Sequence, residues 1–256
     1  MKKIIKNTLL ISIIAITAGC TKKIEYLAER TFITTDNALL KINYLSAYAA
    51  NPGVQLAINN TRVSGLITGR TPFPGGGYNT NGSNFPDYLA VTPGTNTLSI
   101  AIPKKGTNTD SVLLFTASLT MAANKNYTAH VSDTAAKTKV VLIEDNLSYV
   151  DAGTSKYRFV NMMPNVPFID LYYGTTKVAT GIPYLGFSNY FSLPFSTTVT
   201  SWDIRETGTS PTSTVLATYS STNTTLNQRI YTAFALGYKG STATNTKPYI
   251  SFLLNQ

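Results

Sequence analysis

Short stretches in which apolar and polar residues alternate recur along the chain. Residues 54–58 read Val-Gln-Leu-Ala-Ile, and residues 169–173 read Ile-Asp-Leu-Tyr-Tyr. A period of two predicts strands with one face in a core. Asn59-Asn60 and Gly174-Thr175 follow these stretches and tolerate tight hairpin turns. The pattern therefore predicts two similar hairpins in different parts of the chain.

The same pattern predicts further short strands, separated by turn residues, in both halves of the chain. These strands are Leu39–Leu45, Tyr88–Thr92, Thr97–Ile102, Val112–Leu119, Tyr127–Ser132 and Lys139–Ile143, then Tyr157–Asn161, Tyr190–Leu193, Val199–Arg205, Thr214–Tyr219, Arg229–Gly237 and Tyr249–Leu254. About seven short strands in each half favour an all-β fold of immunoglobulin-like antiparallel β-sandwiches.

The two halves are similar in sequence. Residues 41–63 align with residues 156–178 without a gap at an offset of 115, which places Lys41 on Lys156. A Tyr-Thr-Ala motif at 127–129 recurs at 231–233. The repeat predicts two tandem domains, each on the order of 110 residues. We place their boundaries at residues 37–148 and 149–256, with the linker near 145–155.

The second copy resembles the family called domain of unknown function 4397. The similar residues are Arg158-Phe159-Val160-Asn161, Ile169-Asp170-Leu171-Tyr172, Tyr190-Phe191-Ser192-Leu193-Pro194 and Tyr231-Thr232-Ala233-Phe234-Ala235. The first copy matches more weakly, because Asn43-Tyr44-Leu45-Ser46 replaces the first of these strands. The resemblance implies extracellular β-sandwich modules that are often lipid-anchored or at the cell surface, and it implies no catalytic residues.

The first twenty residues have the order of an export signal. Lys2, Lys3 and Lys6 form a positive start, and the apolar run at 9–16 is too short to span a membrane. We therefore read residues 1–19 as a signal peptide. Residues 20–36 would then be a tether between the membrane and the first domain.

The small residues before Cys20 resemble the lipobox of bacterial lipoproteins, although Thr17 replaces the usual large aliphatic residue. The resemblance implies cleavage before Cys20 and acylation of its thiol. Cys20 is also the only cysteine, so it cannot form an internal disulfide. We expect a lipid-anchored protein of the bacterial cell envelope, most simply at the outer membrane, with either face possible.

The composition narrows the range of partners. The net charge is +9, and removal of the three signal lysines leaves +6. The remaining basic residues are scattered, with only small pairs at Lys22-Lys23 and Lys104-Lys105, so nucleic acid is not expected as a partner. Threonine, asparagine and tyrosine are abundant, as in chains of strands and turns.

Candidate catalytic chemistry is sparse. His130 is the only histidine, lies in a predicted strand and aligns with Phe234, which favours a structural role. With one histidine and one cysteine the usual zinc site is excluded, and we expect neither metal nor cofactor. Asp170, Asp203 and Glu206 could form the carboxylate pair of a glycoside hydrolase. The alternative is that these acids are solvated or ion-paired, as Asp203 and Arg205 on one strand face suggest.

Residues 71–86 form a long loop rich in glycine and proline, and the second copy is shorter there, at 183–189. A loop of this length is usually functional or disordered. Phe73, Tyr78 and Phe85 in the loop, together with Trp202, are the candidate binding surface for a glycan or a protein. The alternative places such aromatic residues inside the cores.

The sequence thus predicts a non-enzymatic cell-envelope lipoprotein that acts as a binding or adhesion module. Two alternatives stay open. One is an envelope carbohydrate-active enzyme that uses Asp170, Asp203 or Glu206. The other is a purely structural subunit of an envelope assembly.

Overall fold

The apolar sides of the alternating strands bring the first half of the chain into two packed sheets. The computed structural model describes residues 33–107, 109–209 and 213–256. The strands of the first half are β1 (Ala38–Tyr44), β2 (Gln55–Ile58), β3 (Thr61–Arg62), β4 (Thr71–Phe73), β5 (Gly77–Tyr78), β6 (Leu89–Val91), β7 (Gly94–Pro103), β8 (Asp110–Met121), β9 (Asn126–Ser132) and β10 (Lys139–Asp145).

The first sandwich has one sheet in the order β10-β9-β1-β4, with β6 also paired to β1, and a second sheet in the order β3-β2-β7-β8. Their facing sides bury Leu40, Ile42, Leu56 and Leu98 in one core. Leu56 is one of the apolar positions of the alternating pattern, so the period of two correctly identifies the face that packs on this core.

The second half forms another sandwich with its own core. Its strands are β11 (Thr154–Asn161), β12 (Phe168–Tyr173), β13 (Thr176–Pro183), β14 (Phe191–Pro194), β15 (Ser201–Glu206), β16 (Ala217–Ser220), β17 (Ile230–Leu236) and β18 (Tyr249–Leu254). One sheet has the order β14-β11-β17-β18-β5 and the other β13-β12-β15-β16. Phe159, Leu171, Trp202 and Phe252 fill the space between them.

The predicted all-β sandwich fold is confirmed, with one refinement to the strand directions. In each copy the strand with the Tyr-Thr-Ala motif runs parallel to the first strand, as β9 does to β1 and β17 to β11. Each of these sheets is therefore mixed rather than purely antiparallel. Two parallel strands that pair directly need a long connection, and here the strands between them in the chain form that connection. The described residues contain two 3₁₀ turns, Ala135–Lys137 and Thr222–Thr224, and no α-helix.

The two sandwiches pack together through their five-stranded sheets. Leu45 and Ile143 from the first half share a buried apolar cluster with Val160, Phe234 and Leu253 from the second. Residues 146–153 connect β10 to β11, and residues 33–256 form one compact unit. None of the helical segments in the described ranges is long and apolar enough to cross a membrane.

Leu56 and Leu171 occupy equivalent core positions and are both fully buried. We expect Leu56→Ala and Leu171→Ala each to lower the free energy of unfolding by about 2–5 kcal/mol, because each leaves a cavity. Urea denaturation followed by circular dichroism measures both. Thr61→Ala, on the exposed strand β3, is the control and should stay within about 0.5 kcal/mol of wild type. Equal stability of all three variants would contradict the assigned cores.

Candidate functional site

The glycine-rich loop at residues 71–86 joins the two sandwiches. Its first strand, β4, pairs with β1 of the first sandwich, and its second strand, β5, pairs with β18 of the second. Asn79 extends the connection, because its side-chain amide donates to the carbonyl oxygen of Ile250 at 2.6 Å. The hydroxyl of Ser251 donates to the carbonyl oxygen of Asn79 at 2.7 Å. We call residues 71–86 the strap.

Close packing explains the glycine at the centre of the strap. Gly76 has a φ angle of +99°, which side-chain-bearing residues rarely adopt. A Cβ atom there would lie 2.5 Å from the Lys41 ammonium nitrogen and 2.7 Å from the carbonyl oxygen of Leu254. Glycine is required at this position because the backbone must pass directly over both groups.

The four aromatic residues predicted as a binding surface do not lie together on one exposed surface. Trp202 is fully buried in the second core, where its indole nitrogen donates to the Thr224 hydroxyl at 3.1 Å. Tyr78 packs against the same core, and Phe73 packs against the first. Only Phe85 is exposed, at 65%. The prediction is wrong for Trp202 because Trp202 and Ile204 lie on the inward face of β15.

A buried ion pair crosses the interface between the sandwiches. The Arg158 guanidinium on β11 contacts the Asp145 carboxylate on β10, and both side chains are almost fully excluded from solvent. Asp145 also accepts hydrogen bonds from the Thr128 hydroxyl at 2.5 Å and the Tyr88 hydroxyl at 3.0 Å. Burial raises the pKa of Asp145, while Arg158 and these donors oppose that shift. An unpaired charge here would be strongly destabilising.

Lys41 carries a second buried charge at the same interface. Its ammonium group donates to the carbonyl oxygen of Leu254 at 2.7 Å and lies 4.6 Å from the centre of the Tyr88 ring. Burial lowers the pKa of Lys41 to about 8, with Asp145 and Asp87 opposing the shift. Lys41 thus links β1 of the first sandwich to the end of β18 in the second.

Contacts in the two halves of the interface correspond residue by residue. The Lys41 ammonium nitrogen lies 4.6 Å from the centre of the Tyr88 ring, and the Lys156 ammonium nitrogen lies 4.6 Å from the centre of the Tyr190 ring. In the same way, the Thr128 hydroxyl donates to Asp145, and the Thr232 hydroxyl donates to Asn255. The aligned residues His130 and Phe234 lie next to each other, with ring centres 6.2 Å apart. The interface therefore has an approximate two-fold symmetry that passes between them.

His130 is buried in β9, as its strand position predicted. Its Nδ1 atom lies 3.0 Å from the side-chain amide nitrogen of Asn43. Burial, reinforced by the nearby charges of Arg158 and Lys41, lowers the pKa of His130 to about 3. The histidine is therefore neutral at physiological pH and is part of the interface packing.

The three candidate catalytic acids are each held by a cation. Asp170 lies 2.6 Å from the Lys177 ammonium, Asp203 lies 3.5 Å from Arg205, and Glu206 lies 2.8 Å from Lys239. The pairing of Asp203 with Arg205 confirms the expected contact on one strand face.

Asp170 accepts further hydrogen bonds from the Thr207 hydroxyl and the Gly181 amide. Burial alone would raise the pKa of Asp170, but these donors and Lys177 outweigh it and lower the pKa. A carboxylate held ionised in this way is suited to fixing β12 against its neighbours, and it lacks the raised pKa of a general acid.

One cavity lies beside the end of β1. It is lined by Leu45, Arg70, Leu236 and Asn245 and has a volume of about 10 Å³, enough for one water molecule at most. Within the described ranges, no group of three or more histidine, cysteine, aspartate or glutamate residues could hold a metal ion. Cys20 lies outside the described residues, so its lipidation stays a prediction.

Sequence reasoning missed the interface residues, Lys41, Asp145 and Arg158 above all. Lys41 and Asn43 alternate with the core residues of β1, a pattern typical of the solvent face of a sheet. The one available signal was the charge of Lys41, because a charged residue in a strand must find a partner when its face of the strand is covered.

A family model described as a domain of unknown function (DUF4397) matches residues 41–172 and 155–250 of the chain. The two overlapping matches are consistent with tandem copies. A search of curated proteins finds no match.

Gly76→Ala should destabilise the protein because the new Cβ meets Lys41 and Leu254. Gly106→Ala is the matched control, since Gly106 also has a positive φ, +74°, but its Cβ would meet nothing within 4 Å. We expect Gly76→Ala to lose about 1–3 kcal/mol more stability than Gly106→Ala in urea denaturation. Equal losses would show that the strap is not tightly packed on the interface.

His130→Gln should change how stability depends on pH. The folded-state pKa of His130, about 3, lies below the unfolded value, so only the unfolded chain binds this proton between pH 6.5 and 3. Stability is therefore lost as the pH falls through this window. Between pH 7 and pH 5, wild type should lose about 2 kcal/mol more than His130→Gln in urea denaturation. Parallel pH profiles would contradict a buried neutral histidine.

Proposed function

The chain belongs to the family described as a domain of unknown function (DUF4397), and from that premise we propose that it is a non-enzymatic, lipid-anchored binding module of the bacterial cell envelope. The observation that carries the proposal is the lipobox-like sequence ending at Cys20, followed by two sandwiches joined into one compact unit.

The charged groups of the second sandwich support a non-enzymatic role. Asp170, Asp203 and Glu206 each contact a lysine or an arginine, and Asp170 is almost fully buried. A glycoside hydrolase instead needs two carboxyl groups on either side of an open substrate site. The ion pairs thus weigh against a carbohydrate-active enzyme that uses these acids.

One observation favours the second candidate, a structural subunit of an envelope assembly. Strand β8 lies at the edge of its sheet and exposes Val112 at 50% and Leu113 at 59%. Apolar residues on an exposed edge are typical of surfaces that pack against another protein.

Cys20→Ala tests the anchoring. Wild type should fractionate with membranes and lose its first nineteen residues, and its N-terminal peptide should carry acyl chains by mass spectrometry. The variant should appear in the soluble fraction, because two acyl chains are enough for stable anchoring and none would remain. Thr17→Leu, which restores the usual lipobox residue, is the control and should stay membrane-bound. A wild-type chain that retains Met1 and carries no lipid would refute the proposal.

A further inference from the structure

Strand β10 has an open edge. It pairs with β9 along its whole length, and within the described ranges no strand pairs with its other side. The carbonyl oxygen of Val131 in β9 accepts a hydrogen bond from the Leu45 amide of β1, so the backbone amide and carbonyl groups of Val131 point away from β10. By alternation, Val140 and Leu142 direct their amide and carbonyl groups outward from the sheet.

The equivalent edge in the second sandwich is covered. Strand β18 corresponds to β10, and β5 of the strap pairs with it, with Tyr78 opposite Phe252 and Gly77 opposite Leu253. The amide of Leu254 donates to the carbonyl oxygen of Gly76 at 2.5 Å. The edge of β18 therefore binds a short extended segment that contains glycines and a tyrosine facing the second core.

The two equivalent lysines record the same asymmetry. The strap covers Lys41, which is fully buried, whereas its equivalent Lys156 is only half-buried and bonds Ser148 on the linker surface. The second-copy loop at 183–189 is too short to supply a matching strand. The duplicated interface thus has one occupied and one vacant position for an added strand.

The other long edge, β8, is less suited to accepting a strand. Its pairing with β7 is interrupted by two register shifts, between Ile100 and Ala101 and between Ile102 and Pro103. Such bulges twist an edge and discourage strand addition. The pairing of β10 with β9 runs over seven residues without a shift.

We propose that the edge of β10 at Val140–Glu144 binds an extended segment of another polypeptide, which adds a strand to the first sandwich as β5 does to the second. The Glu144 carbonyl oxygen at the end of this edge accepts from Arg158, as the Leu254 carbonyl oxygen beside β5 accepts from Lys41. By analogy with β5, the bound segment has a glycine where its backbone passes closest to β10, and it has an aromatic residue that packs toward Leu142 and Tyr127. This inference rests on the proposed binding role and names its surface. Main-chain hydrogen bonds supply the affinity, and the inward side chain supplies the specificity.

The strap sequence is the probe. A peptide of residues 74–81 is added to the full-length protein at up to about 1 mM, and binding is followed by fluorescence anisotropy and hydrogen–deuterium exchange. We expect saturable binding and slowed exchange in residues 139–145. A scrambled peptide of the same composition should do neither. Slowed exchange only in residues 110–121 or 249–254 would overturn the proposal, as would the absence of binding.

Leu142→Pro removes an outward amide and should weaken peptide binding at least about tenfold. Leu142→Ala separates the two contributions, because it shortens the side chain on which the aromatic residue packs but keeps the amide, and it should weaken binding less than Leu142→Pro does. Equal binding by wild type and Leu142→Pro would overturn the proposal. If Leu142→Pro does not fold, the exchange result on wild type decides. The test uses purified protein, so its failure would leave the Cys20 result unchanged.

Discussion

Charge buried between two sheets is the constraint on which the rest of this structure depends. Arg158 and Asp145 meet in an interface closed to solvent, and Lys41 lies fully buried beside them. A buried charge is tolerated only when its partners are held in place. The strap holds one of these partners in place, because it fixes the end of β18, where the Leu254 carbonyl oxygen accepts a hydrogen bond from Lys41. The two sandwiches are therefore coupled, although each has a core of its own.

Much of the fold could be predicted from the sequence, because a period of two shows which side of a strand faces its own core. Leu56 and Leu171 lie in their cores as predicted, and the offset of 115 also aligns Lys41 with Lys156 across the interface. The candidate binding surface could not be predicted in the same way. Trp202 shows that an aromatic residue in a strand can face either the core or the solvent, and which of the two applies is known only when the inward face of that strand is known.

The interface itself lay beyond sequence reasoning for a physical reason. Lys41, Asn43 and Arg158 occupy the outward positions of their strands, where polar residues are ordinary, and no local pattern shows that a second sandwich covers them. The strap was recognised as unusual from its length and glycines. Its role depends on a contact with β18, which is more than 160 residues away in the chain. The duplicated halves share a single strap, which covers the edge of β18 and leaves the equivalent edge of β10 open.

The most direct test of the coupling is to compare two probes of unfolding in one urea titration. Trp202 is the only tryptophan and reports on the second core alone, whereas far-ultraviolet circular dichroism reports on the strands of both sandwiches. Coupling through the buried interface predicts a single transition with the same midpoint by both probes. Two separated transitions would contradict it, because the sandwiches would then be independent domains that merely touch.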